Sequence, residues 1–385
     1  LAGVLGHPDL VLAALGQSAP VERDGRVLNP GLQAMIAAAS RLGGTSATMP
    51  TGSDPTALRD QLRRSSRLAM PVRTDVHAWG RVVPGPEGAP DIPVRLYRQF
   101  GAGLQRGPWV PAGQPAIVYF HGGGWVIGDL DTHDASCRML AAVSRSLVIS
   151  VGYRLAPEAP FPAAVDDALA AYRWVAGATD ELGIAPGQVA VMGDSAGGNL
   201  AAVVAQQALA SDDLPTPVAQ GLIYPIVDAH LDTASLDTLA EGFFLTRHSM
   251  EFYRAAYLPD RRDWDDPRAS PLLAGSFAGL PPALVVTAGF DPLRDDGANY
   301  ARALRSGGVE VEERCYDDQI HGFLGMGLVP DSLALATEVC DAMGRLVRRA
   351  AGPVPPRMSG SGLSRARGAR RAGAGPGTLY GGADG

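Results

Sequence analysis

From residue 117 to residue 349, short apolar runs rich in β-branched residues alternate with longer Ala- and Leu-rich ones, and this rhythm narrows the possible folds more than any other feature. Strand-like runs fall at 117–120, 147–152, 189–192, 221–224, 283–287 and 311–316. Helix-like runs fall at 134–144, 163–176, 196–210, 293–306 and 332–349. Such alternation predicts a mainly parallel sheet covered by helices on both faces. Two segments break the pattern, one helical at about 30–70 and one insertion at about 226–275. The insertion carries AEGFFLTRHSMEFYRAAYLPD, with helical spacing and many aromatics. Helices placed there would lie over the carboxyl ends of the strands, where open sheets of this class keep their sites. They read as a lid.

The stretch VMGDSAGGN, residues 191–199, lies where a buried strand meets an Ala-rich helix. Gly193 and Gly197 let neighbouring backbone pass close to a sharp turn, and Ser195 sits on that turn. In a chain with 48 glycines a lone G-x-S-x-G match is weak, so its partners must decide. Acyl transfer by serine needs a base, an orienting acid and donors for an oxyanion. On α/β-hydrolase folds the chain order is Ser, acid, His. Of the seven histidines only His321 follows the late strands, whereas His230 and His248 fall in the presumed lid and suit packing or surface roles. The acid should end a strand between Ser195 and His321. Asp291 does so in ALVVTAGFDPLRDDG; its rivals Asp295 and Asp296 should already be on the following helix.

The run YFHGGGW, residues 119–125, supplies consecutive glycines whose backbone N–H groups can face a substrate oxygen. Gly123 and Gly124 with the N–H of Ala196 are the expected oxyanion hole, and His121 is expected to brace the loop. Trp125 with Phe243 and Phe244 is expected to line the substrate pocket, Met250 and Phe252 adding bulk. In GYRLAPEAPFPAAVDD, residues 152–167, Arg154 and Glu158 are expected to form a buried pair holding a Pro-rich turn, with substrate binding as the other reading. Pro162, Asp166 and Asp167 suit a helix start.

Composition removes other chemistries. All 33 basic residues are arginine, which excludes Schiff-base lysines, a Walker P-loop and a serine–lysine dyad. Cys137, Cys315 and Cys340 are far apart with no C-x-x-C pair, so no metal site or redox dithiol is expected; they read as buried free thiols of a reducing, cytoplasmic compartment. No apolar run reaches the roughly 20 residues of a membrane span, and residues 1–16 lack the basic start of a signal peptide. Residues 352–385 hold ten glycines, four prolines and five arginines and are expected to be a disordered tail. Without that tail the chain is more acidic than its net −7, which speaks against nucleic-acid binding.

HGGGW at 121–125, YRLAPE at 153–158, GDSAGG at 193–198, DPLRDDG at 291–297 and HGF at 321–323 occur in the order found in the bacterial hormone-sensitive-lipase-like esterases, the GDSAG-type family IV carboxylesterases. The resemblance runs from about Leu28 to Val347 and includes EGFFLTR and DPRASPLL of the insertion. It implies an α/β-hydrolase fold with a helical cap, residues 28–70 and 226–275, on a catalytic domain of 71–225 and 276–351. It implies cofactor-free hydrolysis of short- to medium-chain acyl esters, with Ser195, Asp291 and His321 as triad and Gly123, Gly124 and Ala196 as oxyanion hole. Amide or lactone hydrolysis by the same triad stays open. A purely ligand-binding role fits poorly because His321 is present. The implied partner is a small-molecule ester, with no membrane and no nucleic acid, and a homodimer is compatible. Residues 1–27 match no motif and read as an extension that need not be ordered.

Overall fold

Every expected strand of the alternating region forms, and two more join it at one edge. The structure is a computed structural model that describes residues 7–41, 54–100 and 113–351. The chain starts with helix α1 (Pro8–Ala14), a small antiparallel pair β1 (Glu22–Arg23) and β2 (Arg26–Val27), and helices α2 (Pro30–Arg41) and α3 (Pro55–Ala69). Next come β3 (Val76–Val83), β4 (Ile92–Gln99), β5 (Gln114–Phe120), α4 (Asp134–Ser144) and β6 (Leu147–Val151). They are followed by α5 (Ala163–Gly177), α6 (Thr179–Leu182), β7 (Ile184–Asp194), α7 (Ala196–Leu209) and β8 (Gln220–Ile223). The last elements are α8 (Ala234–Thr238), α9 (Arg247–Tyr257), β9 (Ala283–Phe290), α10 (Arg294–Ser306), β10 (Val311–Ile320) and α11 (Pro330–Ala351).

Among the described residues, eight strands make one sheet in the order β10-β9-β8-β7-β5-β6-β4-β3. The six from β10 to β6 pair in parallel, as the alternation requires, while β4 is antiparallel to both β6 and β3. Burial on both faces explains the continuous apolar strands. Along β5, Ala116, Val118 and Phe120 face the cluster containing α5, α7 and α10, while Ile117 and Tyr119 face the cluster containing α4 and α11. Burial of each of Ile117, Val118 and Phe120 contributes roughly 1.5–3 kcal/mol.

Three features set the surroundings of the strand ends. Asn199, buried in the first turn of α7, donates to the carbonyls of Ile226 (3.0 Å) and Ala269 (2.9 Å), so one side chain pins both ends of the insertion. Helix α9 starts where it does because Thr246 and Ser249 form a capping box. Helix α3 has no buried residue and is held by polar contacts. Arg59 donates to the carbonyls of Val126 (2.8 Å) and Ala156 (2.9 Å) and to both Glu158 oxygens at 2.7 Å, and Arg63 pairs with Asp129.

The structure corrects several expectations. Residues 7–27 are folded: Leu12 of α1 packs on Ala34 and Ala37 of α2, and Leu28 and Leu32 cluster with Phe243, Phe290, Ile320 and Val329. Arg154 pairs with the buried Asp167 (2.7 Å), and Glu158 turns outward to Arg59, so the two do not pair with each other. Cys137 and Cys340 are buried, but Cys315 on β10 is exposed. The expected disordered tail at 352–385 lies outside the described residues. Among the described residues no helix is long and apolar enough to cross a membrane.

Candidate active site

Ser195 stands at the turn from β7 to α7 with φ 56° and ψ −119°, outside the conformations an L-residue prefers. Its N–H is held by the Ile223 carbonyl of β8 at 2.8 Å. The turn is possible because of its glycines. A Cβ on Gly193 would lie 2.2 Å from the Gly197 carbonyl oxygen, and one on Gly197 would lie 1.9 Å from that of Phe120. Nothing larger fits at either position.

The ends of β9 and β10 bring the other two residues to this turn. His321, the residue after β10, has Nε2 2.9 Å from Ser195 Oγ and Nδ1 2.8 Å from Asp291 Oδ2. Because a carboxylate only accepts, Nδ1 carries the proton, and the neutral ring leaves Nε2 to accept the serine hydroxyl. Asp291 is fully buried; its other oxygen accepts the Leu293 N–H at 2.8 Å, which fixes the carboxylate plane. The Tyr224 ring packs against the imidazole, centroids 4.6 Å apart. Asp295 turns away to the N–H of Ser235, and Asp296 accepts from Val227, so neither rival acid is hydrogen-bonded to His321.

The glycine loop after β5 faces this row. Gly123 and Gly124 have φ of 116° and 60°, and the Gly123 carbonyl is turned into its own bend by the N–H groups of Val126 (3.1 Å) and Ile127 (3.0 Å). Ala196 opens α7, so its N–H has no carbonyl inside the helix to donate to. His121 braces the loop: Nδ1 lies 2.8 Å from the Gly122 carbonyl and the ring stacks on Tyr153 at 4.2 Å. Burial pushes this imidazole down to about 4, which keeps it neutral near pH 7.

The three expected pocket aromatics diverge. Phe244 is 38 % exposed and lies beside Gly322, next to His321. Phe243 is buried against Phe290, with ring centroids 5.1 Å apart, and Trp125 is stacked on Tyr257 at 4.3 Å with 2 % exposure. Neither presents a free face to a ligand. The residue that does approach the loop is Tyr253 of α9: a Cβ on Gly124 would lie 2.2 Å from its ring. In the sequence it is one aromatic among several, and only the helix phase distinguishes it. Asp194, the residue before Ser195, is likewise not marked out by the sequence. It is 8 % exposed, and its Oδ1 accepts the Gly122 N–H (3.0 Å) and the Tyr119 hydroxyl (2.6 Å), while Oδ2 lies 3.7 Å from His133 Nε2. Among the described residues no group of three or more His, Cys, Asp or Glu is placed to hold a metal ion.

The chain as a whole is similar to known proteins. A family profile described as the alpha/beta hydrolase fold matches residues 117–325. The carboxylic ester hydrolase LipN of Mycobacterium tuberculosis is 45 % identical over 310 residues, covering 79 % of this chain and 78 % of that protein. An ethyl acetate hydrolase of Pseudomonas putida is 41 % identical over 238 residues, 62 % of this chain and 73 % of the relative. Among solved structures, the thermostable carboxylesterase EstE1, cloned from a metagenomic library, superposes with a TM-score of 0.71 at 39 % identity, covering 79 % of this chain and all of that one (100 %). A thermostable esterase from Pseudomonas putida reaches a TM-score of 0.77 at 32 % identity, with 85 % and 99 % covered.

Proposed function

For this chain, which belongs to the α/β-hydrolase family as a carboxylic ester hydrolase of the hormone-sensitive-lipase-like group, we propose a serine acyl-enzyme mechanism. The observation that carries it is the continuous hydrogen-bonded row Ser195–His321–Asp291, at 2.9 and 2.8 Å. Ser195 Oγ attacks the ester carbonyl while His321 Nε2 takes its proton. Asp291 holds the ring in the tautomer that can accept and stabilises the imidazolium that forms. The N–H groups of Gly123, Gly124 and Ala196 receive the negative oxygen of the tetrahedral intermediate, a role in which one donor is typically worth about a hundredfold or more in rate. His321 then protonates the departing alcohol, and a water repeats the sequence on the acyl-enzyme. No metal or cofactor takes part in these steps.

The substrate is a small ester with a short to medium acyl chain. Helices α2 and α3 and residues 226–275 act as the cap, and the Phe244 and Tyr253 rings limit the space beside His321 and Gly124. Each methylene that fits adds up to ~0.8 kcal/mol, and one that meets packed rings costs roughly 1–3 kcal/mol, so the rate should peak at about four to eight acyl carbons. A p-nitrophenyl ester series from acetate to palmitate tests this; a steady rise through palmitate would refute it. Ser195→Ala should cost on the order of a thousandfold or more with folding intact, and a variant keeping a tenth of the activity would remove Ser195 from the mechanism. Anilide and lactone substrates in the same assay separate ester from amide or lactone hydrolysis.

A further inference from the structure

The two sides of the proposed oxyanion hole come from different elements, since Ala196 is set by α7 and Gly123 and Gly124 by the loop after β5. Their separation must be held within about half an ångström for both to reach one oxygen. One side chain spans the two. Asp194 immediately precedes the nucleophile, and its Oδ1 takes the N–H of Gly122, the first glycine of the loop, at 3.0 Å. The loop rides directly on this carboxylate, because a Cβ on Gly122 would lie 2.4 Å from Asp194 Oδ2. The Tyr119 hydroxyl, from β5 beneath the loop, donates to the same oxygen at 2.6 Å. The remaining oxygen faces His133, which precedes α4, and the other ring nitrogen of His133 lies 2.9 Å from the Thr132 hydroxyl.

We propose that Asp194 is a positioning residue that sets the oxyanion loop against the nucleophile turn, with His133 as its counter-ion. Burial alone would push the Asp194 carboxyl up, but the facing His133 and the Tyr119 hydrogen bond outweigh it and hold it below its ordinary value. Burial likewise works against a charged His133, yet Asp194 and then Asp129 outweigh it and leave that imidazole raised. The pair therefore favours the ionised carboxylate, the form that accepts from Gly122 most strongly. Asparagine at this position would keep the shape, lose the charge and offer an N–H₂ where an acceptor is needed.

This inference rests on the proposed oxyanion hole, so the test reads that hole directly. An alkyl trifluoromethyl ketone forms a serine hemiketal whose oxygen occupies it; its Ki is measured beside kcat and KM for p-nitrophenyl butyrate, per active site titrated. Asp194→Asn should lower kcat about tenfold or more with KM within about twofold, and raise the ketone Ki by a factor similar to the loss of kcat/KM. His133→Gln should show a smaller loss in the same direction, and should add nothing in the Asp194→Asn background. Should Asp194→Asn not fold, His133→Gln carries the test alone. Unchanged kcat and Ki per active site, or a rise confined to KM, overturns the inference. A wild-type enzyme that the ketone does not inhibit overturns instead the acyl-enzyme reading on which it stands.

Discussion

Asp296 is a buried acid that the mechanism does not use, and its titration can be read in stability. It lies in the first turn of α10 with 2 % exposure, and one oxygen accepts the Val227 N–H at 3.2 Å. Burial pushes the carboxyl up from its ordinary 3.8 to about 8; Asp228 and Asp291 add to this, against backbone hydrogen bonds from Val227 and Asp228. A folded pKa above the unfolded one means stability that is complete below about pH 4 and is lost as pH rises towards about 8. Over that window the folded state keeps a proton the unfolded chain has released, at about 1.4 kcal/mol per unit. Between pH 5 and pH 8 the loss is thus at most about 4 kcal/mol. Asp296→Asn mimics the protonated acid and cannot ionise. Urea unfolding followed by tryptophan fluorescence should find the two proteins within about 1 kcal/mol of each other at pH 5. The variant should gain by a few kcal/mol towards pH 8, and the gap should level off above it. A gap independent of pH would mean that Asp296 ionises near its ordinary value, and one that favours the wild type with rising pH would mean that its carboxylate is stabilised; either result refutes the reasoning.

Gly197→Ala should be destabilised and inactive although alanine favours helices by up to ~1 kcal/mol, because its Cβ would meet the Phe120 carbonyl oxygen at 1.9 Å and backbone on both sides must move; melting temperature and esterase rate check this, and a stabilised, active variant would contradict the contact. Arg59→Ala should strip the donors from Val126 and Ala156 and loosen α3, so amides of residues 55–69 should exchange faster in hydrogen–deuterium exchange while β5 and β7 do not. Cys315 is exposed and Cys137 and Cys340 are buried, so a disulfide reagent should titrate one thiol in the native protein and three in denaturant, without loss of activity.

The six parallel strands and the Ser195–His321–Asp291 row were legible because both leave marks close in sequence. Doubly buried strands show as unbroken apolar runs, and each residue of that row sits one step past a strand, where a glycine or proline breaks the run. The antiparallel edge left no such mark: β3 reads VHAWGRVV with only its end residues Val76 and Val83 buried, so its run is diluted by polar and small residues. Neighbours in sequence also misled. Phe243 and Phe244 look equivalent, yet Phe244 has φ 76°, and at this bend one ring enters the core against Phe290 while the other stays near His321. Arg154 stands four residues from Glu158 but pairs with an acid thirteen residues on, because α5 returns Asp167 to the turn.

What no local pattern could carry was the contact between the Ser195 turn and the glycine loop, which lie 72 residues apart at Gly122 and Asp194. Sheet order brings them together. β5 and β7 are parallel neighbours, with Phe120 opposite Gly193, so the chains leaving the two strands start side by side. Phe120 and Gly197 then touch through backbone alone, which requires glycine there, and the Asp194 carboxylate accepts the Gly122 N–H of the neighbouring loop. The acid of the G-D-S motif thus answers a contact between two loops, which the strand–turn–helix pattern around Ser195 does not display.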